Sequence, residues 1–225
     1  ELMARENGFS VDINGFESCM TAQRDRARSV ENFILNLDEG EWIVVSEGES
    51  SKFLGYESLE SESKIRRYRK TDNQIEMILD QTPFYAESGG QVGDTGVFSK
   101  GDFRFKVSDT IKVQDEFIHM GEIMSGSIEN IKLLHASVTV SRREEVKLNH
   151  TATHLLHQAL KDVLGVHVQQ AGSLVAADKL RFDLTHYERI SPGDIQKIEE
   201  IVNSVIRGNY EVGTKVMDFD KAKES

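Results

Sequence analysis

The chain holds a single cysteine, Cys19, among 225 residues. An intramolecular disulfide is therefore excluded, and a reducing cytoplasmic compartment fits this usage best. A zinc site built from several thiolates is excluded too, so any transition-metal site must rest on histidines and carboxylates. No apolar run approaches the roughly 18 residues needed to cross a bilayer, so no membrane is expected as a partner. There is no signal peptide, and the chain opens on Glu1 rather than methionine, as expected of an internal piece of a longer protein. A basic surplus is also lacking. The formal net charge is -11 at pH 7, which argues against non-specific nucleic-acid binding, because phosphate attraction needs a basic surface. Two local basic patches remain: Arg66, Arg67, Arg69 and Lys70, then Arg142, Arg143 and Lys147. From charge alone, both read as solvated faces that balance nearby acids.

Hydrophobic residues make up 38% and charged residues 29% of the chain, a globular balance. The length suits two compact units, or one unit with an appendage. Patterning divides it into three stretches. Residues 1–37 are expected to be helical: a short piece that Gly8 ends, then a helix capped by Asp12 that runs through Phe16 and Met20 to Phe33. Residues 38–143 carry short β-prone runs divided by Gly, Ser, Asp and Asn, and Phe103-Arg104-Phe105-Lys106-Val107 alternates strictly. This pattern predicts a small antiparallel β-barrel or sandwich.

In residues 144–225 the period changes. Glu144 to Leu164 gives the strongest helix signal, with Gly165 as its terminator. Strand-like pieces follow at His167 to Gln170, Ser173 to Ala176 and Leu180 to Leu184. Ser191-Pro192 then provides an N-cap and a proline at the first helical position, opening a helix to Arg207. Ile195, Ile198, Ile201, Val202, Val205 and Ile206 form its expected buried stripe. Tyr210 to Met217 reads as a last strand. The fold class expected is α+β: an N-terminal helical segment, a small antiparallel β-barrel, then a two-layer α/β core.

Two segments carry chemistry. In His150-Thr151-Ala152-Thr153-His154-Leu155-Leu156-His157, His150 and His154 stand four apart and share a helix face, so two imidazoles can meet one Zn²⁺. Thr151 stands where a zinc protease of the HExxH kind needs its glutamate, which excludes that chemistry. Two ligands do not complete a site, which needs three for catalysis or four for structure. His157, His167, Asp183 and His186 are candidates for a third, none at a telling spacing. A single pair of this kind is more often polar helix surface than metal ligand.

The second segment is Thr82 to Gly96, with four glycines (Gly89, Gly90, Gly93 and Gly96) that free the backbone for unusual φ and close approach. It lacks the Gly-Lys-Ser/Thr ending of a phosphate loop and does not open a helix as a dinucleotide fingerprint must. By spacing alone, a ligand loop and a tight strand connection are evenly matched.

Four ordered segments together resemble the editing domains of alanyl-tRNA synthetases. They are Phe84-Tyr85-Ala86-Glu87-Ser88-Gly89-Gly90-Gln91, His150 to Leu156, Gln170-Ala171-Gly172-Ser173-Leu174-Val175 and Leu180-Arg181-Phe182-Asp183. Glu1 to Gly8 resembles the end of that family's tRNA-recognition region, which free-standing deacylases lack. The resemblance implies three stretches: residues 1–37 as the helical end of tRNA recognition, 38–143 as the barrel with the glycine-rich loop, and 144–225 as an incomplete editing core. It implies a parent enzyme that joins alanine to tRNA(Ala) with ATP, and an editing reaction that hydrolyses seryl or glycyl esters of that tRNA. Nothing of an ATP site is in these residues, so ATP and Mg²⁺ are expected only in another domain.

The resemblance also implies roles. His150 and His154 match two zinc ligands. The other two lie in a Cys-Gly-Gly-Thr-His segment that is not among the 225 residues. Thr153 matches a pocket threonine that helps reject the alanyl ester, and Gln170 a glutamine beside the substrate. Ser88, Gly89, Gly90 and Gln91 match the loop near the aminoacyl end. A free-standing aminoacyl-tRNA deacylase and a non-catalytic tRNA-binding module are the alternatives.

Overall fold

The computed structural model describes Asp12, Gly15, Ser18, Thr21 and residues 41–71, 74–213 and 217–218. Most of the helical segment expected over residues 1–37, Cys19 included, lies outside the described residues. Gly15, Ser18 and Thr21 are helical. The Gly15 N–H donates to Asp12 Oδ1 at 2.9 Å, the capping bond expected of Asp12.

The first unit is a closed antiparallel barrel. Its strands are β3 (Glu60–Lys70), β4 (Ile75–Leu79), β6 (Gly96–Lys100), β7 (Phe103–Val113), β8 (Glu116–Ser125) and β9 (Leu133–Val138), in the order β3-β4-β8-β7-β6-β9. β3 closes the ring by pairing its first half with β9 (Glu60 to Ser137 through Lys64 to Leu133) and its second half with β4. Closure removes the open edges that invite aggregation. β1 (Ile43–Val44) adds to the free side of β3, and β2 (Lys52–Phe53) pairs in parallel with β5 (Gln81–Thr82).

Alternation in β7 sets the inside of the barrel: Phe103, Phe105 and Val107 are buried and Arg104 and Lys106 exposed. Phe84, Phe98, Met77, Leu79 and Leu134 complete the core. β3 keeps the same period with little apolar content, because Ser61 and Ser63 point inward and bond to each other at 2.7 Å. Its arginines belong to the barrel wall. Arg69 pairs with Glu76 in a buried contact at 2.7 Å, Arg67 reaches Glu116, and both guanidinium groups lie within 5 Å of the Trp42 ring. Within the first basic patch, Arg67 and Arg69 therefore balance acids, Arg69 from inside the protein, while Arg66 donates to the Glu47 and Glu49 backbone carbonyls.

The second unit holds α1 (Val140–Leu164), the hairpin of β10 (Gln169–Val175) and β11 (Leu180–Thr185), and α2 (Pro192–Gly208). Leu160, Ala159, Val168 and Ile198 form its core, with Leu156, Val163, Phe182, Leu184 and Val202 packed around them. Two helices against one hairpin make the expected two layers. Ser191 caps α2 through a bond from the Asp194 N–H at 3.1 Å, with Pro192 at the first position.

Three expectations differ. α1 begins four residues before Glu144, at Val140, because Thr139 is tied to the barrel by its N–H to Thr95 O. The stripe on α2 is only partly covered: Ile198 is buried, Val202 and Val205 are half-buried, and Ile195, Ile201 and Ile206 are exposed, since α1 and the hairpin meet one side of the helix. Tyr210 to Gly213 form no strand and find no pairing partner; residues 214–216 lie outside the described residues. Among the described residues, no helix is long and apolar enough to cross a membrane.

Candidate functional site

The glycine-rich loop folds back on itself at Ser88-Gly89-Gly90-Gln91. The Ser88 N–H donates to Gln91 O at 3.1 Å and the Gln91 N–H to Ser88 O at 3.0 Å. Gly89 and Gly90 both take positive φ, 60° and 86°, the pattern of a type I′ turn that glycine adopts without strain. Gly90 also has no room for a side chain, because a Cβ there would lie 2.5 Å from Ser173 O. This close approach lets the Val175 N–H donate to Gly90 O at 2.7 Å and the Val92 N–H to Val175 O at 3.1 Å. The loop is thereby stitched to β10, whose sequence Gln170 to Val175 is one of the four family-like segments.

The same loop is clamped to α1. Asp94 accepts the Tyr85 N–H at 2.7 Å and receives the Arg143 guanidinium through Nε, at 3.0 Å and 2.9 Å, and Nη2. Arg143 also donates to Gly55 O and Pro83 O, each at 2.8 Å, and is itself buried. Arg142 donates to Gly93 O at 2.8 Å, and Lys147 pairs with Glu144 on the surface. Arg142 and Arg143 thus hold the loop in place, and Arg143 is no solvated face. No local pattern signals this pairing, because Asp94 lies 49 residues away.

With loop and helix fixed, His150 and Gln91 meet. Gln91 is buried, and its Oε1 accepts from His150 Nδ1–H at 2.5 Å. That bond sets the tautomer and leaves the His150 Nε2 lone pair free. His154 lies one turn on, its ring 5.0 Å from that of His150 and nearly parallel at 18°. Burial, with the neighbouring His154 ring second, holds the His150 imidazole below the usual histidine range, so it is neutral at pH 7. The pair faces a cleft of about 460 Å³, lined also by Tyr56, Tyr85, Lys147 and Thr151.

Stacked imidazoles on one helix face fit two positions of a tetrahedral zinc site. The described residues bring no third His, Cys, Asp or Glu to them. His157 packs on Phe182 at 5.0 Å, His167 and His186 bond to each other at 2.9 Å, and Asp183 pairs with Arg181. None of the four third-ligand candidates joins the pair.

Thr153 lies on the buried side of α1, and its hydroxyl donates to Asn149 O at 2.8 Å, the local backbone bond common for helix threonines. Asn149 in turn donates to the Ala176 and Ala177 carbonyls at 2.7 Å and 3.0 Å, which ties the hairpin to the helix. Gln170 is exposed on β10, opposite Leu184 and beside a bulge. The structure therefore brings Gln91, His150 and His154 together, sets Ser88, Gly89 and Gly90 in the adjoining turn, and places Thr153 and Gln170 on the elements that hold them.

The model of the tRNA synthetases class II (A) family matches residues 1–142, and the chain belongs to that family. Over 98% of its length it is 44% identical to an alanine–tRNA ligase of Legionella pneumophila (strain Corby) and 43% identical to one of Pseudomonas entomophila (strain L48). An alanine–tRNA ligase of Psychromonas ingrahamii is 41% identical over 99% of it. The expected alanyl-tRNA synthetase resemblance is thus met by whole-chain similarity. The chain spans about a quarter (26%) of the length of these relatives.

Proposed function

We propose that this chain is part of an alanine–tRNA ligase, and that its cleft hydrolyses the ester of a wrong amino acid, serine or glycine, on tRNA(Ala). The ligase reaction, with alanine, ATP and Mg²⁺, belongs to residues outside these 225. The observation that carries the hydrolytic reading is the meeting of Gln91 with His150 at 2.5 Å, beside a turn whose Gly90 rests on β10. Three stretches distant in sequence, residues 55–59, Tyr85 with Gln91, and the part of α1 from Arg143 to His154, meet at one cleft, and structural economy alone does not require a buried glutamine on a histidine there.

In this reading the exposed amides of the glycine turn receive the aminoacyl end. Gln91 holds the His150 ring so that Nε2 faces the cleft. The Gln170 amide orients the ester, being a donor and acceptor but a poor base. Thr153 retains lone pairs after donating to Asn149, and these accept from a serine hydroxyl that alanine lacks. His150 and His154 would hold two positions of a zinc ion. Bound with two further ligands, zinc supplies either a water acidified to about pKa 7 or a grip on the substrate amine.

The test is seryl-tRNA hydrolysis by this chain and by a chain lengthened past a Cys-Gly-Gly-Thr-His segment. Activity in the longer chain that His150→Ala abolishes is expected. Equal inactivity of both chains, with tRNA still bound, favours a non-catalytic binding module.

A further inference from the structure

The outer wall of the cleft is an aromatic cluster that the ester chemistry does not use. Tyr56 is 87% exposed, yet it is not loosely held. Its turn is closed by bonds from Glu57 N–H and Ser58 N–H to Leu54 O at 2.9 Å and 3.0 Å. The preceding residue, Gly55, gives its carbonyl to buried Arg143. The Tyr56 ring meets Phe53 edge to face at 5.0 Å, and Phe53 stacks on Phe117 at 5.5 Å and 10°. Single exposed apolar residues are ordinary. A tyrosine held nearly perpendicular to a neighbouring ring on a hydrogen-bonded turn, and left open to solvent, is a prepared stacking surface.

Its position sharpens the point. Tyr56 and Tyr85 line the histidine cleft and also a second groove of about 500 Å³. Ser88 and Lys112 border that groove, and the Lys112 ammonium lies 5.5 Å from the Phe117 ring centre. Both sides mix charges: Lys147 and the Asp94-paired Arg143 with Glu57 and Glu144 on one, Lys112 with Glu87 on the other. Neither groove has the basic surplus that draws phosphates, and the whole chain carries -11. A nucleic acid held here is held by its bases, and aromatic stacking contributes about 1–3 kcal/mol per base without needing positive charge.

We infer that Tyr56, backed by Phe53 and next to Tyr85, is the platform on which the unpaired 3′-terminal adenine of the tRNA stacks, setting its ribose ester at the mouth of the His150 cleft. The inference rests on the hydrolytic reading above for the identity of the RNA end. Tyr56 is a positioning residue and takes no part in bond breaking.

The experiment uses an RNA trinucleotide, CCA, with 2-aminopurine in place of the terminal adenine, because stacking quenches that base. Titration with the chain is expected to quench it saturably. Tyr56→Ala is expected to weaken binding roughly tenfold, from the loss of one stacked base, while Tyr56→Trp keeps or tightens it. A trinucleotide lacking the terminal base is expected to bind wild type no better than the intact probe binds Tyr56→Ala. Raising salt from about 50 to 200 mM should cost less than about threefold, the dependence of roughly one phosphate.

Absence of binding to wild type, equal binding by Tyr56→Ala, or indifference to the terminal base would overturn the platform. So would a Tyr56-dependent dimer in sedimentation that ignores the probe, which would make the patch a contact between copies. Tyr56-dependent stacking without seryl-tRNA hydrolysis by the lengthened chain sinks the hydrolytic reading alone. Hydrolysis whose KM ignores Tyr56 sinks the platform alone.

Discussion

Arg143, in the first turn of α1, grips Asp94 of the glycine-rich loop in a buried ion pair, with the side chains only 8% and 2% exposed. The remaining guanidinium donors end on Gly55 O and Pro83 O, and Asp94 also accepts the Tyr85 N–H. Full pairing is what makes such a buried charge tolerable. Removing one partner leaves the other buried and alone, at a cost of about 3–5 kcal/mol. Arg143→Met is therefore expected to lower unfolding free energy by that amount in urea, with Asp94→Asn close behind. A loss under about 1 kcal/mol would show that helix and loop are not joined this way.

The two glycines of the turn separate conformation from space. Gly89 has φ of 60° and open space where a Cβ would point, so Gly89→Ala meets only the left-handed backbone penalty of about 1–2 kcal/mol. Gly90→Ala meets a similar backbone penalty at φ 86° and also drives a methyl toward Ser173 O. Stability should fall further for Gly90→Ala, and amide exchange should speed at Val175, whose N–H bonds Gly90 O. Equal losses for the two variants would mean that the loop does not rest on β10.

What the sequence disclosed follows from which interactions are local. The β7 alternation, the Ser191-Pro192 helix start and the shared face of His150 and His154 are properties of a few neighbouring residues, and each stands where patterning put it. The first half of β3 was illegible because Ser61 and Ser63 fill inward positions that a hydrophobic scan passes over. The strand expected at Tyr210 to Met217 had propensity but no partner, and a strand needs pairing as well as propensity. Within the candidate site, the motifs were visible and their joints were not. Arg143 to Asp94 and Gln91 to His150 are contacts between residues 49 and 59 positions apart, which no periodicity encodes.

The Gln91 to His150 bond fixes a proton. With Gln91 Oε1 as acceptor, Nδ1 carries the hydrogen and Nε2 the lone pair. Long-range ¹H–¹⁵N correlation spectra at pH 7.5 are expected to show a single Nδ1–H tautomer for His150. Gln91→Ala should give a mixture of tautomers while leaving the helix intact. An Nε2–H tautomer in wild type would reverse the geometry and point the wrong nitrogen at the cleft.

His119 predicts the acid side of the stability profile. It is fully buried in the barrel, its Nδ1–H donating to Met77 O at 3.0 Å and its Nε2 accepting the Thr82 hydroxyl at 2.8 Å. The Phe84 N–H bonds the same hydroxyl at 3.1 Å, so this chain of bonds fixes the entry to the glycine-rich loop. Burial lowers the imidazole to about 4 from the ordinary 6.5. The unfolded chain therefore binds a proton at His119 across that interval and the folded chain does not. Stability from this group is whole above pH 6.5 and falls as the pH drops to about 4. The loss is about 3 kcal/mol in all, and below that pH both states are protonated and the group adds no further change. Urea unfolding of wild type between pH 7 and 4 should show this loss beyond that of His119→Gln, whose amide cannot take up the proton. The His119 ring protons should hold still in NMR spectra until the pH nears 4. Parallel pH profiles for the two proteins, or a ring that titrates near 6.5, would mean that the imidazole is charged or hydrated in the folded barrel.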